Sequence, residues 1–502
     1  MPYSCTRIKT AGIRNNYLVL NMKHTFKFIV LSLALVFARE GAAQETWSLE
    51  RCIQYAQDNN ITIKQAQANV RTSILAERQA KASRLPNVSA SFDAGQQFGR
   101  TIDRTTNQFS TISTGFNSIG VSAGVSLFNG GQIHHGIRQA GWDAQAAQAD
   151  ADQSANSLAL QIAQAYLNIL LFEEQLQNAQ KRVSQSQEQL NVTQKLIDAG
   201  TLPAADKYNI LAQLAQSEQA EVQAQNSVEL AYLTLKQLLQ LEPDYDLQIE
   251  RPSITIPADA RPDEVTLTPV YNTALGTQPN IRAADYRIKS AEEGIYLAKA
   301  AYWPSVSLFA NLSSNYSTAY KLPESYLRIP EPGIPVRIDG ENKSLQFIGD
   351  TTIIPQNIRT VGYLDQVDQN FGQSVGLSIN IPIYQNGRVR LSVERAKLNA
   401  LNAQLQQTQT RQQLKNDIQT AIANARAARK QLDAAQRTFD ANQIAFQNTE
   451  KRHTLGAVNT LDLTTAKNNL DISENDLVVA RYDYLFKLKI LDFYEGKPLS
   501  MN

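Results

Sequence analysis

The chain has 502 residues, 43% of them apolar and 19% charged, with 48 Lys/Arg against 47 Asp/Glu. That near-neutral balance argues against nucleic acid as a partner, and two cysteines exclude a disulfide framework. The long middle stretches are dominated by Gln, Ala, Leu, Asn and Ser, a mixture that favours long solvated helices over one large compact core.

At the N-terminus, Lys23, His24 and Lys27 precede an apolar run from Phe28 to Ala38, and the small residues Gly41, Ala42 and Ala43 follow. This is the pattern of an export signal, and residues 1–43 are expected to be removed. Met1 and Met22 are both candidate start positions. A membrane anchor would need roughly 18 apolar residues, and this run is shorter and closed by Arg39 and Glu40. Removal takes away six Lys/Arg and one Glu, leaving 42 basic and 46 acidic residues and a net charge of −4. Cys52 then survives alone, away from the cleavage site, as a packing residue.

The remaining chain reads as one unit written twice. Gly120 to Asp206 matches Gly376 to Asp462 at a constant offset of 256, with identities such as Gly131/Gly387, Leu158/Leu414, Ile162/Ile418, Gly200/Gly456 and Asp206/Asp462. Upstream, Leu49, Ala56, Ile63, Ala82 and Pro86 recur as Leu267, Ala274, Ile281, Ala300 and Pro304, at an offset of 218. Shared helical composition cannot account for matched Pro, Gly and Asp punctuation, so the expectation is a duplication. The first repeat covers 45–243, with a strand pair at about 86–128 and a helix hairpin at about 131–241. The second covers 264–496, with a strand pair at about 304–384 and a hairpin at about 387–494. The difference between the offsets places an insertion of about 38 residues in the second strand pair, where prolines cluster, and 318–360 is expected as a proline-rich surface loop.

The spans from Gly131 to Gly200 and from Gly387 to Gly456 contain no proline, so each can be a rod of roughly 100 Å. Leu158, Ile162, Ala165, Ile169, Phe172, Leu176, Ala179 and Val183 follow alternating spacings of four and three, a heptad seam. Leu414, Ile418, Ala421, Ala425, Ala428, Leu432, Ala435 and Phe439 repeat it with smaller side chains. Gly200 and Gly456 are placed to end the rods, after which the chain turns back.

Four stretches alternate: Val88, Ala90, Phe92, Ala94; Val121, Ala123, Val125, Leu127; Val306, Leu308, Ala310, Leu312; and Leu377, Ile379, Ile381, Ile383. Soluble hairpins alternate in the same way, but the mature chain offers no apolar run of transmembrane-helix length, so any membrane crossing would be made by these strands. Four strands cannot close a barrel and open edges are not tolerated in lipid. A membrane reading therefore demands oligomerisation.

The opening from Leu49 to Pro86 with its echo from Leu267 to Pro304, the tips Asp198-Ala199-Gly200-Thr201-Leu202 and Leu455-Gly456-Ala457-Val458, and the closing Arg481-Tyr482-Asp483-Tyr484-Leu485 together resemble the TolC family of outer-membrane efflux channels. The resemblance covers essentially the whole mature length. It implies an α+β membrane protein: a homotrimer whose twelve strands, four per protomer, form one β-barrel in the outer membrane of a Gram-negative cell, continued by a long α-helical coiled-coil periplasmic tunnel. It further implies docking on a periplasmic adaptor and an inner-membrane transporter, in efflux or type I secretion.

The resemblance also assigns roles at the tips. Asp462, and with it Asp206, matches a gate position facing the narrow entrance, where three-fold symmetry would make a carboxylate ring; an acid in the first turn of a helix is equally explained by the helix dipole. Gly200, Thr201, Leu202, Gly456, Ala457 and Val458 match the adaptor-contact tips, with Leu202 and Val458 expected to be exposed. Thr465 stands where the family pattern has a second acid, and His453 and Val458 replace latch positions often filled by Tyr and Arg.

His134, His135 and His453 are too few and too scattered for a zinc site or a Ser-His-Asp arrangement, and no phosphate-cradling glycine motif is present. No cofactor, metal site or enzymatic activity is expected. A periplasmic adaptor or another structural coiled-coil envelope protein is the alternative. An adaptor usually has one hairpin flanking a Gly- and Val-rich lipoyl-like domain, whereas this chain has two hairpins and two strand pairs.

Overall fold

The computed structural model describes residues 46–102, 108–110, 113–252, 261–330, 334–345, 351–455, 457–497 and 499. The expected signal segment 1–43 and the tip residue Gly456 lie outside the described residues.

Each half of the chain runs through the same helical series. Helices α1 (Leu49–Asn59, 11 residues) and α2 (Ile61–Ala82, 22 residues) lead into the first strands; α3 (Gln132–Asp198, 67 residues) and α4 (Ala205–Leu239, 35 residues) follow them. In the second half the counterparts are α5 (Leu267–Thr277, 11 residues), α6 (Pro279–Ala300, 22 residues), α8 (Arg388–Thr454, 67 residues) and α9 (Thr460–Tyr494, 35 residues). A 67-residue helix is roughly 100 Å long at 1.5 Å per residue.

The return helices are about half the length of the rods. In the first half, α2 lies beside α3 on the side of the strands and α4 beside it on the side of the 199–204 turn. At their joint the Asn60 side chain caps α2 by accepting from Thr62 N–H and donates to the Leu238 carbonyl at 2.9 Å. Two shorter helices thus run end to end beside one long one. In the second half α6 packs against both rods, tied to α3 by Arg282–Asp152 and Arg287–Asp150 and to α8 by Arg411–Asp285.

The heptad seams face inward. Ile162, Ala165 and Ile169 are buried with Tyr166, Leu170, Leu235 and Leu239 in the first hairpin. Ile418, Ala421, Ala425 and Ala428 are buried in the second. Contrary to expectation, α3 is long and apolar enough to cross a bilayer by length and composition, but that window is 50% buried. Residues from Leu158 to Leu170 supply the hairpin core, so this apolarity serves packing.

Between the helices stands one four-stranded antiparallel sheet of β1 (Asn87–Gln97), β4 (Thr114–Asn129), β5 (Ser305–Ser317) and β10 (Gly372–Asn380), in the order β1-β4-β5-β10. A two-residue pair, β2 (Thr101–Ile102) and β3 (Phe109–Ser110), decorates the first connection. Within 318–360, expected as a loop, described residues instead pair as ribbons. Strand β6 (Lys321–Pro330) is antiparallel to β9 (Thr351–Thr360), and β7 (Ile334–Ile338) to β8 (Glu341–Leu345). Their prolines fit because a two-stranded ribbon is all edge, where a residue without an N–H is tolerated. A short helix α7 (Tyr363–Gln369) returns the chain to β10.

Candidate functional site

The sheet divides its residues cleanly between two faces. Register places Val88, Ala123, Ala310 and Val375 side by side in one row, and Val125, Leu308 and Leu377 in another. The opposite face carries Ser89, Ser122, Asn311 and Ser374 in one row and Asp93, Ser118 and Asn315 in another. Because side chains alternate along a strand, one face is a continuous apolar belt and the other is hydroxyl- and amide-lined. Exposed Tyr302, Trp303 and Tyr384 flank the base of the belt, where an aromatic girdle would stand.

One detail departs from the sequence alternation. The β4–β5 register slips between Ser126 and Phe128, so Leu127 is the extra residue of a bulge and Phe128 takes the place opposite Val306. On the polar face, Phe116 covers Gly95 and Phe309 covers Gly376; a Cβ on these glycines would lie 2.9 and 2.7 Å from the rings. Strands β1 and β10 each pair on one side only, leaving two rows of backbone donors and acceptors open.

Below the sheet the waist is held by the segment that joins the two halves. Trp47 pairs with Ile249, and the Tyr166 hydroxyl lies 2.6 Å from the Glu250 carbonyl and 3.2 Å from that of Trp47. The Arg251 guanidinium grips Glu173 at 2.7 and 3.0 Å, and the Tyr232 hydroxyl donates to the same carboxylate at 2.8 Å. Burial pushes the Glu173 carboxyl up, but the Arg251 and Tyr232 bonds outweigh it and hold it below the usual carboxylate range. Cys52 is fully buried here, its thiol pushed up to about 12 by that burial. His135 bonds Glu293 at 2.7 Å, and Arg138 meets the same carboxylate at 2.9 Å.

At the far end, the first rod closes in a Schellman turn. Gly200 sits at φ +74 with open space around it, Thr201 N–H bonds the Leu196 carbonyl and Gly200 N–H that of Ile197. Glycine is required there by backbone conformation, not by crowding. The second tip shows the same long bond, Ala457 N–H to the Arg452 carbonyl. Asn459 then caps α9 by accepting from Asp462 N–H at 2.8 Å, whereas the residue before α4, Ala204, offers no side-chain cap.

Asp206 and Asp462 therefore both occupy the first turn of a return helix. Asp462 is exposed and Asp206 half-buried, and among the described residues neither carboxylate enters an ion pair. Thr201 and Ala457 are exposed. Leu202 and Val458, expected to be exposed, are half-buried, each standing two residues past the rod-ending glycine position where the chain turns back. The exposed apolar side chains at the tips are instead Leu455 (83%), Leu461 (72%) and Tyr208. Leu455 opens the matched tip motif, whereas Leu461 and Tyr208 lie in the first turns of the return helices, beyond it.

A second group was not foreseen. Lys467, only 6% exposed, lies in the inward stripe of α9, where its Nζ donates to Gln185 of α3 at 3.0 Å. Arg182 of α3 donates to the Asp471 carbonyl and approaches its carboxylate at 3.6 Å. Burial pushes Lys467 down and Asp471 up; the opposite charges around each offset this in part. This buried cluster locks the two hairpins of one chain together, a little above the tips. A lysine at a heptad position was the available signal.

Comparison with known proteins agrees with this geometry. The family model described as "Outer membrane efflux protein" matches residues 52–240 and 270–496. The chain is similar to the outer membrane efflux protein BepC of Brucella suis biovar 1 (strain 1330), 22% identical over 467 residues, which span 91% of this chain and 88% of that one. It is similar to the outer membrane protein TolC of Escherichia coli (strain K12), 23% identical over 330 residues, 66% of this chain and 59% of the relative. Among solved structures, the outer membrane protein VceC from Vibrio cholerae shares the fold with a TM-score of 0.70, at 17% identity, over 90% of this chain and 97% of that one. This chain belongs to the outer membrane efflux protein family and is an outer-membrane protein.

Proposed function

We propose that three copies of this chain close one twelve-stranded barrel and continue it as a periplasmic tube, forming the passive exit duct of a tripartite efflux or type I secretion system. The observation that carries the reading is the sheet. It has an apolar belt on one face, a hydroxyl- and amide-lined surface on the other, and two unpaired edges. In lipid every backbone group must be paired, so β1 of one copy has to meet β10 of the next. Three protomers of four strands satisfy this with side chains of the polar face lining an aqueous lumen.

The duct has no energy source or catalytic group of its own. Substrate, whether small molecules or polypeptides, is delivered by a periplasmic adaptor and an inner-membrane transporter that dock at the hairpin tips. Gly200, Thr201, Leu202, Gly456, Ala457 and Val458 shape those tips, and exposed Leu455 and Leu461 supply the apolar contact. Asp462 and Asp206, without ion-pair partners among the described residues, form carboxylate rings at the entrance on three-fold repetition.

Planar-bilayer recording tests the ring. Asp462→Asn is expected to weaken cation preference and divalent block, with Asp206→Asn acting in the same direction. Unchanged selectivity in Asp462→Asn would sink the ring assignment.

A further inference from the structure

The short helix α7 belongs neither to the barrel ladder nor to the helical duct, yet it is fixed to the sheet by a dense set of polar contacts. Gln366 is fully buried: its Oε1 accepts from Ser317 N–H and its Nε2 donates to the Val361 carbonyl, both at 3.0 Å. The Ser314 hydroxyl donates to the Val367 carbonyl at 2.6 Å, and Asn370 Nδ2 to the Asn315 carbonyl at 2.9 Å. Asn117 Nδ2 donates to the Tyr363 hydroxyl at 2.9 Å, and the Tyr316 and Tyr363 rings meet with centroids 4.9 Å apart.

These partners say which side of the wall α7 occupies. Ser314 pairs with Ile119 and Tyr316 with Asn117, positions that alternate in step with Leu312 and Leu308 on β5 and with Val121 on β4. The helix therefore lies on the same face as the apolar belt, above its upper rows, and not in the lumen. Its exposed residues pair two large apolar side chains, Leu364 at 77% and the following Phe371 at 56%, with the polar Asp365, Asp368 and Gln369, the mixed character of a segment at a water–lipid boundary. The buried amides hold Leu364 and Phe371 outward on the face that continues the apolar belt of the sheet.

We propose that α7 is an interfacial shelf that seats Leu364 and Phe371 in the outer leaflet of the outer membrane at headgroup depth. The proposal rests on the apolar face of the sheet being the lipid face. Because β9 runs directly into this shelf through Val361, one strand of the β6–β9 ribbon is rooted on the membrane side of the wall.

Depth-dependent quenching tests it in the full-length protein, reconstituted in phosphatidylcholine–phosphatidylglycerol vesicles. Leu364→Cys and, as a belt reference, Leu308→Cys are each labelled with an environment-sensitive fluorophore; Cys52 is fully buried and stays unlabelled. The apolar side of an interfacial helix reaches only ~5–10 Å into the headgroup boundary, so a shallow spin-labelled lipid should quench the Leu364 probe about twofold more strongly than a deep one. The Leu308 probe should show the reverse, and aqueous iodide should reach neither. A Leu364 probe quenched by iodide but by no lipid, beside a lipid-quenched Leu308 probe, would overturn the shelf and leave the barrel standing. Two probes both indifferent to lipid would overturn the lipid face and the shelf with it.

Discussion

The two halves of the chain have helices of identical lengths, yet they are held together differently. The first hairpin packs bulk against bulk: Ile162, Tyr166, Ile169, Leu235 and Leu239 fill its core, and the waist is stitched by Trp47, Tyr166, Glu173 and Arg251. The second packs by close approach. Ala421, Ala425 and Ala428 line its seam, and Arg426 ties the rod to the carbonyls of Pro262, Asp263 and Val265. The same backbone series can thus be stabilised either by buried volume or by short interhelical distance. Nearer the sheet, α6 lies between α3 and α8, tied to Asp152 and Asp150 of the first and to Arg411 of the second.

The contrast can be broken at graded cost. The largest loss is expected where the halves meet: Asp471→Ala removes the acid that compensates buried Lys467 and Arg182, and stripping one partner from a buried charge cluster costs about 3–5 kcal/mol. Thermal unfolding followed by helical circular dichroism should place this variant lowest in the series. Next comes a reciprocal pair. Ile169→Ala should cost about 2–5 kcal/mol by cavity formation, while the matched Ala425→Ile should cost about 1–3 kcal/mol by overpacking. If instead Ala425→Ile stabilised the protein, the second seam would be loose, not close.

The smallest effect concerns the waist. Arg251 is largely exposed, so Arg251→Ala should cost no more than about 1 kcal/mol at neutral pH. Its sign with pH follows from Glu173, whose folded carboxyl is held below its ordinary value. Stability from that grip is present above the unfolded pKa and lost as pH falls through the folded one. The gap between wild type and Arg251→Ala should therefore close on acidification, which paired melting curves at neutral and acid pH would show.

Much of this was readable in the residues. The matched glycines at 131, 200 and 387, the prolines at 86 and 304, and the heptad seam mark rod ends, strand starts and inward faces, because each residue type answers a local backbone or packing demand. Alternation located the four strands of the sheet, although Ile381 and Ile383 fall beyond the end of β10, and it missed the slip at Leu127, since a bulge depends on how neighbouring strands pair and leaves no local signal. The ribbons within 321–360 were hidden for a related reason: their prolines argue against a sheet interior, and only a two-edged context makes them acceptable. The cluster of Arg182, Gln185, Lys467 and Asp471 joins residues more than 280 positions apart, beyond what one sequence discloses. Asp206 and Asp462 were placed by motif, and the structure adds that Asp462 is exposed, that Asp206 is half-buried, and that neither carboxylate enters an ion pair among the described residues.

The central claim is that unpaired β1 and β10 edges are closed by copies of the same chain. Native mass measurement of the detergent-extracted, unheated protein tests it most directly. The account predicts a single assembly with the mass of three mature chains, whereas a stable species of one, two or four chains would contradict the twelve-stranded duct.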